Sequence, residues 1–350
     1  MTPVLDVRRA AAAFCPDGAS CPLSPLGSGN INDTFLVQSA AGMFVLQRIN
    51  RRVFPYPVRV IENFAKITRH LAGKRFRTAL PVPALSGELG FHDGDGEYWR
   101  GQTYLPHSCC KTLTGPEQAL QIGRALACFH VLLADLNVQE LEDTLPGFHN
   151  LPRYLQEFDR LRPKMQDASD PDCRYCLTSI DHGRQRATVL EEAKNSGILT
   201  LQTIHGDPKI DNFLFDEQGL AGGMLDLDTV GVGVIHYDLG DCLRSCCNRA
   251  GESGGGGPDV FFDMEICRAL LGGYFSEGRR LLTPEQRTYI FHGVLAITFE
   301  LGVRFFTDHL RGNSYFKVRH EGENLTRAVR QFRLSEEIAR NEGAIRSLSI

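Results

Sequence analysis

The sequence predicts an α+β chain of two lobes, an antiparallel-sheet lobe over residues 1–104 and a mostly helical lobe over residues 105–350. Three observations carry this. Short apolar runs separated by glycine and polar turns fill residues 25–106, as hairpin-linked strands require. Beyond His107 the apolar positions recur at helical spacing instead. Within those helices one stretch, Ile204–Asp228, reads as a hairpin flanked by acids. A length of 350 residues suits two lobes with ample core.

Residues Val7–Phe14 suit a short helix. Phe35–Val37 and Met43–Ile49 are strand-like, with Ser39–Gly42 as the turn between them. Gly27 and Gly29 precede the first of these strands, where glycine lets a backbone approach a phosphate; a plain hairpin would read the same way. On the second strand Gln47 and Arg48 stand side by side, and alternation allows only one of them to face a cleft. Arg48 is the expected cation. Pro57–Leu71 follows with helical spacing, Val58, Ile61, Phe64, Ala65, Thr68 and Leu71 forming its core face. Glu62 lies beside that face, either as the ionic partner of Arg48 or simply solvated. Ala84–Leu85, Glu88–His92 and Tyr98–Leu105 suit further strands. The run Gln102–Pro106 would form the sheet edge and the connector to the next lobe, with the backbone of Gln102 and Tyr104 against an adenine edge.

The second lobe opens near His107. Thr114–Glu117 suits a capping box for a helix running to about Leu136, with Ala119, Ile122, Leu126, Phe129 and Leu133 buried. His130 on that helix reads as packed histidine, since no second metal ligand recurs at helical spacing. Tyr154–Arg162 and Arg184–Ser196 are helical, with a polar break at Asp167–Cys173. Cys173 and Cys176 form a Cys-x-x-Cys with no second pair at zinc spacing. Asp238 and Asp241 open a later helix, placed to cap it and brace the preceding loop. Thr283–Gln286 is a second capping box, and the helix after it lines up Glu300, Arg304 and Asp308. That polar row is either an internal ion pair or a cleft wall.

The chemistry concentrates in IHGDPKIDNFLFDEQGLAGGMLDLD. Phe213–Phe215 and the run ending at Leu225 are the two arms of a hairpin, turning at Asp216–Gly219. Folding the arms together brings Asn212 beside Asp226. An amide oxygen and a carboxylate converging there suit Mg²⁺, a hard cation that takes oxygen ligands. Asp207, five residues before Asn212, sits at the loop tip, where it can accept a proton from an attacking hydroxyl. Lys209 can reach a transferred phosphoryl group. The Asp-x-x-x-x-Asn spacing followed by a metal-binding Asp matches the protein-kinase catalytic loop. Solvated acids in a plain turn would not fall in this register. Asp228 is a candidate for a second metal or a substrate hydroxyl, and Arg304 and Asp308 for substrate contact.

A net charge of −4 argues against a binder of nucleic-acid phosphates. Charges among the first apolar residues argue against a signal peptide, and no long uncharged apolar run suggests a membrane span. Eleven cysteines at irregular spacing fit reduced thiols, hence a cytoplasmic protein. The sequence is silent on oligomeric state.

HGDPKIDN, LDLDT and YDLGDCLR resemble the aminoglycoside phosphotransferase and choline kinase superfamily. Within it, GSGNINDTFLV, FVLQRIN, LDLDTVGVG and the stretches GVRFFTDHL, YFKVR and NLTRAVRQF are similar to the N-acetylhexosamine 1-kinases. The similarity covers roughly residues 25–334. It implies a two-lobed kinase fold, ATP and Mg²⁺, with Asp207 as base and Asn212 and Asp226 as metal ligands. The strand Lys of kinases is replaced by Gln-Arg, as in that branch. A small-molecule substrate and a nucleotide are the expected partners. Residues Leu301–Arg333 carry seven basic and three acidic residues, which disfavours a polycation and suits a neutral or anionic sugar; the resemblance implies a sugar or N-acetylamino sugar phosphorylated at its anomeric hydroxyl. The rivals are a kinase of choline or an aminoglycoside, and a nucleotide-binding pseudokinase acting as a protein partner.

Overall fold

The computed structural model describes residues 4–27, 31–106, 113–164, 170–249, 251 and 260–349. The candidate Gly29 and the expected lobe start at His107 lie outside the described residues.

A helix, α1 (Val4–Phe14), precedes strands β1 (Leu23–Pro25), β2 (Asp33–Ser39) and β3 (Gly42–Ile49). Helix α2 (Pro57–Leu71) and strands β4 (Pro81–Val82), β5 (Gly90–His92) and β6 (Tyr98–Thr103) complete this part. The sheet is antiparallel with order β1-β2-β3-β6-β4, and β5 pairs β6 beyond β4. Gln102 therefore lies inside the sheet, opposite Val45 on one side and Pro81 on the other. The expectation that this run forms the edge is corrected. The edge falls to the two-residue β4, where a proline's missing N–H costs nothing.

Alternation along β3 decides what faces the cleft. Phe44 and Leu46 join Trp99 against Val7, Ala10, Ala11 and Phe14 of α1. Arg48 shares that face. Its guanidinium meets Asp33 at 2.6 Å and Glu97 at 4.0 Å. Ile49 points the other way, against Val60 and Ile61 of α2, and Gln47 shares its face. The expected Arg48–Glu62 pair is thus overturned: the strand presents Gln47, not Arg48, to the cleft, and Glu62 is exposed. Val58, expected in the core, is exposed as well, and Val60 and Ile67 take the buried positions.

The rest is helical around one hairpin. It comprises α3 (Pro116–Leu133), α4 (Leu151–Leu161), α5 (Pro171–Gly183), α6 (Val189–Asn195), β7 (Gln202–Ile204), β8 (Phe213–Phe215), β9 (Ala221–Met224), β10 (Gly231–Gly233), α7 (Ile235–Cys246), α8 (Met264–Gly278), α9 (Pro284–Arg287), α10 (Ile290–Leu310), α11 (Glu323–Arg340) and α12 (Glu342–Ser349). The α3 stripe is buried as its spacing predicts. Its expected capping box is absent: the N-cap is Gly115, and the Gln118 side chain accepts from the Thr114 backbone instead. The box at Thr283–Gln286 is present. Helices α3 and α8 touch backbone to backbone, since a Cβ at Gly123 would meet the Leu270 carbonyl at 2.0 Å. Helix α10 is long and apolar enough to cross a membrane, and most of it is buried inside the fold. The nine described cysteines are free thiols.

Helix α2 belongs to both halves. Phe64, Ile67 and Leu71 pack into the same core as α3, α7 and α8. Asn63 adds a reciprocal bond with the Glu142 backbone, donating at 2.8 Å and accepting at 3.0 Å. This fixes the sheet over the hairpin loop.

Candidate active site

Strand β7 delivers the chain to His205, Gly206 and Asp207. Gly206 has φ +85°, and a Cβ there would meet the Thr229 carbonyl at 2.7 Å, so the turn needs glycine. The buried Asp238 carboxylate accepts the backbone N–H of His205 at 2.6 Å and of Gly206 at 2.8 Å. The same carboxylate takes the Nε2–H of His130, whose Nδ1 faces the Tyr274 hydroxyl. Asp238 thus braces the loop from within α7 and does not cap that helix. His149 holds the Gly206 carbonyl from the other side at 2.8 Å. Burial lowers the His205 pKa, so its imidazole is neutral; it donates to the Leu225 carbonyl and accepts the Asp207 N–H.

Asp207 is half-buried, with Lys209 Nζ 2.7 Å from its Oδ2. Burial pushes its carboxyl up, but Lys209, with Arg244 beyond it, holds it below its ordinary value. Asp207 is therefore an ionised acceptor at neutral pH. Lys209, disfavoured by burial, is held firmly charged by Asp207, Asp226 and Asp211.

The hairpin closes as its pattern predicts. The Leu225 N–H donates to the Asn212 carbonyl at 2.8 Å, which sets Asn212 next to Asp226. The Asn212 amide nitrogen is spent on the Asp207 carbonyl at 2.7 Å, so its side-chain oxygen is the atom left for a cation. Asp226 has a left-handed backbone, φ 60°, a conformation that non-glycine residues hold mainly where the surroundings enforce it. Its carboxyl is raised to about 7 by dehydration, then by the like charge of Asp228, against Lys209. The residue is exposed, so the like charge of Asp228 outweighs dehydration. One amide oxygen and one carboxylate fit Mg²⁺, which completes its shell with phosphates and water.

Asp226 gives the free protein a pH signature. Its folded pKa is raised above the unfolded 3.8, so its contribution to stability is present at low pH and lost as pH rises through about 7. Asp226→Asn is expected to raise Tm at pH 8 by about 1–3 °C and by less than half as much at pH 5, which lies in the lower part of the window between the unfolded and folded values. Magnesium should raise Tm at pH 8 in the parent protein only. An equal Tm for variant and parent at both pH values would refute the charge conflict.

Asp228 is engaged elsewhere. It is buried, its Oδ2 accepts from Asn32 at 2.6 Å, and its Oδ1 pairs with Arg100. Each oxygen carries a protein partner, which makes Asp228 a brace for Asn32 and Arg100. Asp308 is corrected too. Its carboxylate accepts the backbone N–H groups of Ser314, Tyr315 and Phe316 and the Asn324 amide, anchoring the loop after α10. The polar row resolves into an internal pair, Glu300–Arg304 at 3.7 Å. Glu300 also meets His149 at 3.2 Å, and the Arg304 guanidinium sits among Phe148, Tyr154, Tyr315 and Phe316. The basic stretch is no wall. Arg311 pairs with Glu157, Lys317 with Asp33, and Arg319 and Arg327 with Glu323.

Gly27 has φ +74° and open space around it, and Tyr104 follows the last residue of β6. Sequence reasoning missed Arg100, Asn32 and His149. Strand alternation could have found Arg100, which stands opposite Gln47 across the β3–β6 ladder.

The sequence matches the phosphotransferase enzyme family over residues 22–274. It is similar to homoserine kinase of Xanthobacter autotrophicus (strain ATCC BAA-1158 / Py2), 26% identical over 257 residues, which cover 71% of this chain and 69% of that protein. Two solved structures share the fold. One is a microcompartment-associated aminopropanol kinase, with TM-score 0.68, 16% identity, and 97% of this chain and 99% of that chain covered. The other is an aminoglycoside phosphotransferase from Alicyclobacillus acidocaldarius subsp. acidocaldarius DSM 446, with TM-score 0.65, 14% identity, and 100% and 97% covered.

Proposed function

The chain belongs to the phosphotransferase enzyme family as a small-molecule kinase, and we propose that it transfers the γ-phosphoryl group of ATP to a hydroxyl of a sugar or N-acetylamino sugar. The observation that carries the reaction is the convergence of Asp207, Lys209, Asn212 and Asp226 at one loop and hairpin.

In this reading Asp207 accepts the proton of the attacking hydroxyl. The substrate oxygen bonds to the γ-phosphorus, the bond to the β-phosphate oxygen breaks, and ADP leaves. A carboxylate held below its ordinary pKa is a weak base. That suffices where the proton moves late, as in the loose transition state of phosphoryl transfer. Lys209, close against Asp207, neutralises charge on the transferred group. Asn212 and Asp226 would hold Mg²⁺, which supplies charge neutralisation at the phosphates. Residues 1–104 form the nucleotide-covering lobe, with Gly27 in the loop over the phosphates and Tyr104 at the adenine edge. Arg304, paired with Glu300 inside the fold, takes no substrate role in this reading. Free thiols at the described cysteines support a cytoplasmic setting.

The sugar assignment rests on the INDTF and LQRIN stretches that resemble the N-acetylhexosamine 1-kinases, because five of the seven basic residues expected to favour it are paired within the fold. Two observations favour a second reading, a small hydroxylated amine or amino acid. The curated relative is named a homoserine kinase. Asp241, near enough to Asp207 for each to feel the other's charge, keeps Oδ2 buried without a hydrogen-bond partner, an atom an ammonium group would satisfy.

An ADP-release screen over hexoses, N-acetylhexosamines, homoserine, choline and aminoglycosides tests this, with product position read by phosphorus NMR. Turnover of a sugar and none of the amines is the expected result. Turnover of homoserine alone moves the assignment to the amino-acid reading, and turnover of choline or an aminoglycoside moves it to a cationic alcohol. Silence across the panel with ATP still bound would favour the pseudokinase.

A further inference from the structure

We infer that Arg100 supplies the cation that contacts the nucleotide phosphates, with Asp228 and Gln47 aiming it; this rests on the kinase reading above. Protein kinases give this task to a lysine on the strand corresponding to β3, anchored by a helix glutamate. Neither member of that pair is available here. The cleft-facing residue of β3 is Gln47, and Glu62 on α2 is exposed while Asn63 bolts the helix to the helical half.

Arg100 fills the gap from the neighbouring strand. It stands opposite Gln47 and is almost fully buried. Its Nε and Nη2 donate to Gln47 Oε1 at 3.0 and 2.6 Å, and Nη2 also pairs with Asp228 Oδ1. The guanidinium lies over the Phe64 ring, 4.9 Å from its centroid. Asp228 is two residues from the candidate metal ligand Asp226, so Arg100 is held at the nucleotide end of the cleft. Its Nη1 is buried and makes no hydrogen bond. An unsatisfied, charged N–H in the interior is costly unless a ligand takes it, and a phosphate oxygen is the strongest acceptor such a donor can meet. Asp228 replaces the helix glutamate as the carboxylate partner. Gln47 occupies the lysine's place as an acceptor, because a second cation there would repel the guanidinium. Asn32, of the INDTF stretch, fixes the other oxygen of Asp228.

The test compares affinities for Mg·ATP and for adenosine, which lacks phosphates. Arg100→Met, which keeps the stem over Phe64, is expected to weaken Mg·ATP binding about tenfold or more and to raise KM for ATP more than it lowers kcat. Its adenosine affinity should match the parent. Adding Gln47→Lys to Arg100→Met restores a cation on the same sheet face and should recover most of the loss; a merely structural role for Arg100 predicts no such rescue. Arg48→Ala, on the opposite face, should leave Mg·ATP affinity within about twofold. An Arg100→Met protein that binds adenosine and Mg·ATP like the parent overturns the inference. If that variant does not fold, the Arg100 Nε resonance of the parent decides: a shift with Mg·ADP and none with adenosine supports the contact, and no shift with either overturns it. A parent protein that binds no ATP sinks the kinase reading itself, whereas a parent that binds ATP beside an unaffected variant sinks only this inference.

Discussion

Asp207→Ala is expected to lower turnover on the true substrate by about 10²-fold or more while leaving Mg·ATP affinity within about threefold. The argument is local. Asp207 is the acid at the loop tip, and its side-chain bond is to Lys209 alone among the residues named at the site. Removing it takes away the proton acceptor without removing a metal ligand. Lys209 keeps Asp226 and Asp211 as neighbouring charges and stays protonated. The neutral variant Asp207→Asn keeps the shape and should lose a similar factor, which separates loss of the base from loss of packing. Steady-state kinetics with ATP as the varied substrate measures both constants. Near-parental turnover in Asp207→Ala would show that the proton goes elsewhere. A large rise in the ATP constant would show that Asp207 serves the metal instead.

What the sequence made legible follows from how local each signal is. The hairpin at Phe213–Leu225 could be read because two short apolar runs and one turn determine each other's register. The same holds for α2, whose observed limits, Pro57–Leu71, coincide with its apolar period. Features that depend on a second segment were not legible. Whether Gln47 or Arg48 faces the cleft depends on which side α1 covers, and α1 lies more than thirty residues upstream. Arg100 could not be paired with Asp228 from spacing, because the two are 128 residues apart. Asp308 looked like a cleft residue by its helical row, yet the loop after α10 folds back and claims both its oxygens. The Leu301–Arg333 charges misled for the same reason: a sum over a segment ignores that Glu157 and Asp33 neutralise Arg311 and Lys317 from outside it.

The residue that sequence placed best outside the chemistry is Asp238, and its removal should have the largest effect on stability. It is buried, and its carboxylate joins three donors: the backbone of His205, the backbone of Gly206 and the ring of His130. Burial pushes its carboxyl up, but His130, His205 and the loop N–H groups hold it below its ordinary value, so the folded state depends on the ionised form. Asp238→Ala strands two backbone N–H groups and an imidazole where water does not reach. Breaking such a buried, charge-assisted network costs about 3–5 kcal/mol, or about 4–7 °C of Tm for a chain of this size. A group with a depressed folded pKa stabilises above its unfolded pKa and loses that contribution only as pH falls through the folded one. The deficit should therefore be constant from pH 6 to 8, the range in which the Asp226 effect changes. Activity should fall with it, since the unpinned turn carries Asp207. Asp238→Asn, which keeps one acceptor oxygen, should recover part of the stability. Urea unfolding of both variants at pH 6 and 8 measures this, and a loss below about 1 kcal/mol in Asp238→Ala would mean that water or a shifted side chain replaces the carboxylate.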